Sequence, residues 1–332
     1  MTPLGMVLLT VRIPVHTYKN STAGLGPLTR NHITKSSNIQ CLFFDACRQL
    51  CYTAVYHERK QGRSEREHRM KRGKRIILDI IIVALLCVMG YSGYRIFTQM
   101  MEYHKNEVEY EGLRDYTDHS GEEEDFAPHT EEPGIWWNVS FPDVDFEGLL
   151  KKNPDTIGWI YCPETHIDYP VVQGKNNDEY LHKSFEGIHN VAGSIFLDAE
   201  NKADLSDFNS ILYGHHMKNG SMFRDLDHYK EEGYYEEHPY MLFMTPKKNY
   251  VVELFAGYVS SVKEDSWDVV FPTVEDRQKW IDKRLEKSAF KGIVVPDVNS
   301  HILTLSTCSY EFSNARFVLY GILTEVPKKN KK

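Results

Sequence analysis

From Ile76 to Phe97 the chain reads IILDIIIVALLCVMGYSGYRIF. A run of that length crosses a hydrocarbon layer of ~30 Å as a helix. Asp79 interrupts it near its basic end, where a carboxylate reaches the headgroups or pairs with a cation. Lys71, Arg72, Lys74 and Arg75 come just before, and acidic residues follow. The positive-inside bias then leaves the N-terminus in the cytoplasm and everything after Phe97 outside. A cleaved signal peptide is the rival reading. The length of the run and the lack of a clean small-x-small site after it speak against that.

Charge divides the chain in the same places. Residues 1–101 hold 15 Lys and Arg against 5 Asp and Glu, residues 102–132 hold 2 against 12, and residues 133–332 hold 22 against 30. A basic front, an acidic middle and a mildly acidic body imply three physical roles. No basic stripe with interleaved aromatics occurs in the body, so a nucleic-acid partner is not expected.

Residues 1–69 lack a sustained helical or strand period. Their three cysteines, Cys41, Cys47 and Cys51, are too loosely spaced for a strong zinc signature. Met70 followed by Lys-Arg-Gly-Lys-Arg resembles a bacterial start ahead of a signal anchor. Residues 1–69 are therefore expected to be unstructured or untranslated, and residues 70–97 to be a signal-anchor helix. Residues 98–135, with Glu122 to Asp125, Pro128 and Pro133, read as an acidic linker. Such a composition is self-repelling and extended, with helix continuing to about Arg114. Residues 136–326 form the body, and 327–332 a basic tail.

The body reads as mainly β with a few helices. A short amphipathic helix stops near Asn153-Pro154. The runs TIGWIYC, HIDYPVVQ, GSIFLD, SILYGH, YMLFMT, YVVELFAGYVS, HILTLSTC and RFVLYGILTEV are strand candidates. A helix follows Thr273, which with Asp276 matches a capping box. Trp280, Ile281 and Leu285 are expected to form its apolar face. Many short strands at this spacing point to a closed or half-closed barrel.

After Phe97 only Cys162 and Cys308 remain among the cysteines. An exported pair could form a disulfide. The surroundings of Cys308 favour a working thiol instead. HILTLSTC and ARFVLYGIL are joined by the short loop SYEFSN, so an antiparallel hairpin brings Cys308 and Arg316 to one mouth. Strand alternation puts Ile302, Thr304, Ser306 and Cys308 on one face. A guanidinium helps hold a thiol as thiolate and donates to a carbonyl under attack. The strand SILY runs into Gly214, His215 and His216, of which at most one ring faces that mouth. His215 shares parity with Ile211 and Tyr213. A histidine supplies a thiol site with its base and acid. A metal site lacks convincing third and fourth ligands, and no cofactor is expected.

TLSTC with Arg eight residues on, preceded by LYGHHM and GSMF, resembles the sortases, and class B in particular. The run GWIYCPETHIDYPVVQGKNNDEYLHKSFEG and the helix of residues 273–288 strengthen the resemblance, which covers roughly residues 136–326. It implies an eight-stranded β-barrel and a membrane-anchored cysteine transpeptidase outside a Gram-positive cell. Such an enzyme cleaves a sorting signal near the C-terminus of a secreted protein. It then joins the new carboxyl end to a peptidoglycan amine. The resemblance makes Cys308 the nucleophile, His215 the catalytic histidine and Arg316 the oxyanion or substrate stabiliser. It makes Ser306 and Thr307 substrate contacts and gives His216 and Cys162 no assigned role.

A papain-like protease fits less well, because it wants Cys ahead of His and at a helix N-terminus. Two rival functions are a cysteine hydrolase of the cell surface and a non-catalytic, membrane-tethered binding module in which Cys162 pairs with Cys308. The reading of the start has a direct check. Mass spectrometry of the native protein is expected to find tryptic peptides after Met70 and none from residues 1–59; any peptide from the latter range overturns it.

Overall fold

The computed structural model describes residues 63–131 and 134–328, with side chains from residue 72 onward. The expectations for residues 1–62, and for most of the basic tail, lie outside the described residues. The chain divides into two compact units, Met1–Cys87 and Val88–Lys332. What is described of the first belongs to helix α1, Arg63–Arg114. Arg72–Arg114 is the one helix among the described residues that is long and apolar enough to cross a membrane. Ile76, Ile77, Leu78, Ile81 and Leu85 are all exposed. An exposed apolar stretch of this length is consistent with a membrane anchor.

The second unit is built around a closed eight-stranded barrel. Its strands are β1 (Thr156–Tyr161), β2 (Asp168–Val172), β3 (Ile195–Leu197) and β4 (Asn209–Tyr213). They continue with β5 (Tyr240–Met244), β6 (Asn249–Ser261), β7 (Ile302–Cys308) and β8 (Ala315–Val326). The order around the barrel is β6-β8-β7-β4-β3-β2-β1-β5, and β5 closes onto β6. Pairs β4–β7 and β2–β3 are parallel; the others are antiparallel. These are the eight runs that β-branched and aromatic residues mark in the sequence. Trp159, Phe243, Phe255, Leu305 and Phe317 fill the core and are fully buried.

Two helices flank the barrel strands in the chain. Helix α2 (Phe146–Lys152) is capped by Asp145, whose carboxylate accepts from Gly148 N–H at 2.9 Å, and buries Phe146 and Leu149. Helix α3 (Val274–Lys287) starts with the expected capping box of Thr273 and Asp276. Its inner face differs from the expectation. Trp280 and Ile281 are buried, but Leu285 is 40% exposed and Arg284 is fully buried in its place. At 100° per residue position 284 falls between 280 and 281 while 285 lies beyond 281, so the period favours 284 and only the residue types pointed to Leu285. The guanidinium of Arg284 lies 4.0 Å from the Trp280 ring centre and 3.1 Å from the Asp265 carboxylate. An aromatic face and a counter-ion together offset the cost of burying that charge.

The linker reading is also corrected. The helix does run to Arg114 as expected, but from Tyr103 onward the segment packs against the barrel unit instead of extending away from it. Leu113 and Tyr110 are buried, and the Tyr110 hydroxyl donates to Gly193 O at 2.8 Å. Thr117–Asp118 pairs with Asp143–Val144, and Glu123–Phe126 pairs with Trp137–Ser140. Phe126 stacks on Trp137, with ring centres 6.1 Å apart. Arg114 and His119 both reach Asp168 at the start of β2, at 3.5 and 3.3 Å. His129 donates its backbone N–H and approaches with Nδ1 the buried Glu253 carboxylate, each at 2.6 Å. Composition averages over both faces of a strand. Here Glu123 and Asp125 face out, while Glu124 and Phe126 on the other face are half-buried.

The correction in α3 has a measurable consequence. Arg284→Ala leaves Asp265 without this partner and opens space beneath Trp280, and is expected to cost about 3 kcal/mol. Leu285→Ala is expected to cost under about 1 kcal/mol. Denaturant unfolding of the two variants checks the order; a larger loss at Leu285 would contradict the buried-guanidinium arrangement.

Candidate active site

At one end of the barrel, β7, β8 and the end of β4 border an open cleft of about 390 Å³. Cys308, Arg316 and His215 all line it, with Ser306, Thr307 and Trp267. Cys308 ends β7 and Arg316 lies in β8. The antiparallel register makes the two direct cross-strand partners, whose Cα atoms lie about 4.5–5.5 Å apart in such ladders. The Arg316 Nη1 donates to the Ala315 carbonyl at 2.9 Å.

The histidine arrives from the other side of β7. Strand β4 runs parallel to β7, with Tyr213 opposite Ser306. Gly214 N–H extends the contact by donating to Ser306 O at 3.1 Å. A Cβ on Gly214 would lie 2.5 Å from Ile195 and 2.6 Å from Phe223, so only glycine fits this approach. The next residue, His215, turns its ring into the cleft. Its carbonyl accepts from Phe223 N–H at 3.0 Å, which ties down the turn.

The orientation of that ring is fixed by a carbonyl. His215 Nε2 lies 2.7 Å from Leu181 O. A carbonyl only accepts, so Nε2 carries the proton and Nδ1 is the basic nitrogen of the neutral ring. Behind it, Gly193 (φ +57°) leaves no room for a side chain: a Cβ there would sit 2.5 Å from the same Leu181 oxygen. Burial is the largest influence on the imidazole and pushes its pKa below the ordinary value. The Leu181 bond opposes this, while the charges of His182 and Arg316 add to the lowering. His182 stacks on His215 with ring centres 5.7 Å apart.

The remaining residues singled out in the sequence also have definite places. Ser306 and Cys308 share the cleft, as strand alternation requires, and Trp267 Nε1–H donates to Ser306 Oγ at 3.2 Å. Thr307 borders the cleft but is almost wholly buried, 2% exposed. His216 points away from the cleft and pairs with Asp227 at 3.0 Å. Cys162 and Cys308 are both free thiols, so no disulfide joins them. Cys162 is buried beside the Tyr229 hydroxyl and the Tyr240 carbonyl, and burial pushes its thiol up to about 12.

A family model for the sortase domain matches residues 160–324, which hold the whole barrel except most of β1 and the last two residues of β8. The chain is 31% identical over 262 residues to sortase B of Staphylococcus aureus, covering 78% of this chain and 99% of that protein. The chain belongs to the sortase family, class B. Sortase B of Listeria monocytogenes is 36% identical over 181 residues, covering 54% of this chain and 74% of the relative. A solved complex of Staphylococcus aureus sortase B with substrate superposes with a TM-score of 0.53 at 35% identity. That match covers 55% of this chain and 85% of the solved one. The eight-stranded sortase barrel is therefore the fold, and a class B sortase enzyme is the class of protein.

Reading residue types missed three features of the cleft. The Leu181 carbonyl has no residue-type signature. His182 is one of 15 histidines in the chain and has no strand parity to mark it. Trp267 belongs to a short 3₁₀ turn, Asp265–Trp267, that no period announces.

The neutral form of His215 is favoured at pH 7, and loss of activity in acid follows its protonation. The acid limb of kcat/KM for peptide cleavage is expected below about 6.5, the ordinary imidazole value. A limb centred above that value in a pH-rate profile would contradict the buried, carbonyl-bonded ring.

Proposed function

We propose that this sortase is a membrane-anchored cysteine transpeptidase whose nucleophile is Cys308. The convergence of Cys308, Arg316 and His215 on one cleft, from two paired strands and the end of a third, carries the reading. Cys308 attacks the carbonyl carbon of the scissile peptide bond while His215 Nδ1 takes the thiol proton. The tetrahedral oxyanion forms where the planar donors of Arg316 stabilise it. Collapse breaks the C–N bond, His215 returns the proton to the leaving amine, and a thioester on Cys308 remains. An incoming amine attacks the thioester and gives its proton to His215, the Cys308 sulfur leaves as thiolate, and His215 returns that proton to it, restoring the starting enzyme. Nothing is oxidised or reduced in either half.

The acyl donor on this reading is a secreted protein with a C-terminal sorting signal, and the acceptor is a peptidoglycan amine. Ser306 and Thr307 are the substrate contacts. The small, nearly buried Thr307 contributes through the shape of the cleft floor. The apolar helix of residues 76–97 anchors the protein with its basic flank in the cytoplasm. The barrel then works outside the cell membrane, where both donor and acceptor are found. Water in place of the amine gives hydrolysis as the side reaction.

The test is mass spectrometry of the full chain in detergent, incubated with a library of sorting-signal peptides and an amine acceptor. A peptide acyl adduct on Cys308 that is discharged by the amine is the expected result. Cys308→Ala should form no adduct and no product, while Cys162→Ala should stay largely active. An active Cys308→Ala enzyme would overturn the assignment.

Arg316 separates two roles. Lysine keeps the charge but loses the planar fork. Because the β7–β8 ladder fixes the position of Arg316, Arg316→Lys is expected to lose nearly as much as Arg316→Ala, about 10²–10³ in kcat/KM. Near wild-type turnover for the lysine variant would show that only the charge matters.

A further inference from the structure

Behind the cleft lies a charged network that takes no part in the chemistry above. Its centre is the 3₁₀ turn Phe223–Lys230. Asp227 on this turn accepts from His216 Nε2 at 3.0 Å and pairs with Lys230 at 2.8 Å and Arg224 at 3.6 Å. Lys230 Nζ extends to the other side. It donates to Ser309 Oγ at 3.0 Å and to the Glu311 carboxylate at 2.5 Å. The Ser309 hydroxyl also donates to Glu311. Tyr310, between them, sets its ring edge-on to His216, with centres 5.2 Å apart.

The two ends of this network matter more than its middle. His216 is the residue after His215, and Ser309 is the residue after Cys308. Phe223, at the start of the same turn, already holds the His215 carbonyl. One short element is thus bonded to both segments that carry the reacting groups. Those segments are distant in sequence, and the ladder between β4 and β7 ends before reaching them. The β4–β7 register runs only to Tyr213 and Ser306. Beyond it, the spacing of His215 and Cys308 needs another constraint.

The network is built to have one arrangement. Lys230 is three-quarters buried, 26% exposed, and is held between two carboxylates and a hydroxyl. Partial burial pushes the Glu311 carboxyl up, but the hydrogen bonds from Lys230 and Ser309 outweigh this and bring it down to about 2. Glu311 therefore stays ionised across the working pH range. His216 Nδ1 has no hydrogen-bond partner among the described residues, but the remaining charged bonds are directional and restrict the geometry more than an apolar contact of equal size does.

We propose that Asp227 and Lys230 are positioning residues that hold the His215 and Cys308 segments at reacting distance. His216 is the arm by which the network grips the histidine turn, and carries no proton of the reaction. The proposal rests on the assignment of His215 and Cys308 given above.

The experiment uses the full chain in detergent and a quenched fluorescent sorting-signal peptide, with kcat expressed per thiol titrated at Cys308. That normalisation removes any loss of folded protein. Lys230→Met is expected to lower kcat about tenfold to a hundredfold, the scale of a small misplacement of reacting groups, with KM within about threefold. Lys230→Arg should restore most of the loss. Asp227→Asn and His216→Ala should lower kcat in the same way, and His216→Gln, which keeps a donor toward Asp227, should lose less than His216→Ala. Unchanged kcat per titrated thiol in Lys230→Met would overturn the proposal, as would a loss confined to KM or no recovery with arginine. These failures are distinct from failure of the catalytic reading, which would show as an inactive wild type or an active Cys308→Ala enzyme.

Discussion

Everything at the cleft depends on the hydrogen bonding of β7 along both its edges. Antiparallel pairing with β8 puts Arg316 opposite Cys308, and parallel pairing with β4 puts Tyr213 opposite Ser306, two residues short of His215. A slip of one residue along either ladder turns every side chain to the opposite face. The thiol, the guanidinium and the imidazole would then no longer share a cavity. The tightly packed core that holds this register includes Leu305 on β7 and Phe317 and Leu319 on β8, all fully buried.

Backbone groups do as much as side chains to prepare the site. The Leu181 carbonyl selects the histidine tautomer, and Gly193 is the residue that lets the chain pass behind that carbonyl. Gly214 lets the chain pass Phe223 on its way to His215. The two thiols of the second unit show what location does to one functional group. Cys162 is sealed against Tyr229, and its ionisation is suppressed. Cys308 opens on the cleft beside Arg316.

Much of this was legible in the sequence because strands and motifs are local. The eight strand runs, the capping box at Thr273 and the stop at Asn153 depend on neighbours in the chain, and all appear in the structure. The meeting of Cys308 with Arg316 followed from a short loop, since a hairpin leaves few registers open. That His215 and not His216 faces the cleft was expected from strand parity together with the Gly-His motif of the resemblance, and His215 lines the cleft. Arg284 was not legible. Its burial depends on Asp265 and Trp280, and a charged residue on a helix ordinarily faces water. The packed state of residues 98–131 was hidden for a similar reason. Its ties to Gly193, Asp168 and Glu253 come from distant parts of the chain.

The sequence by itself determined the apolar helix, the barrel strands and the residue types gathered at the cleft. Each is set by a local pattern of hydrophobicity, branching or spacing, and the solvent enforces such a pattern wherever the segment ends up. Tertiary structure decided which nitrogen of His215 is basic, what keeps Cys162 inert, and how the His215 and Cys308 segments are tied through Asp227 and Lys230. Those outcomes turn on contacts of a few ångströms between segments far apart in the chain. Their energies exist only once the barrel has closed and excluded water from between them.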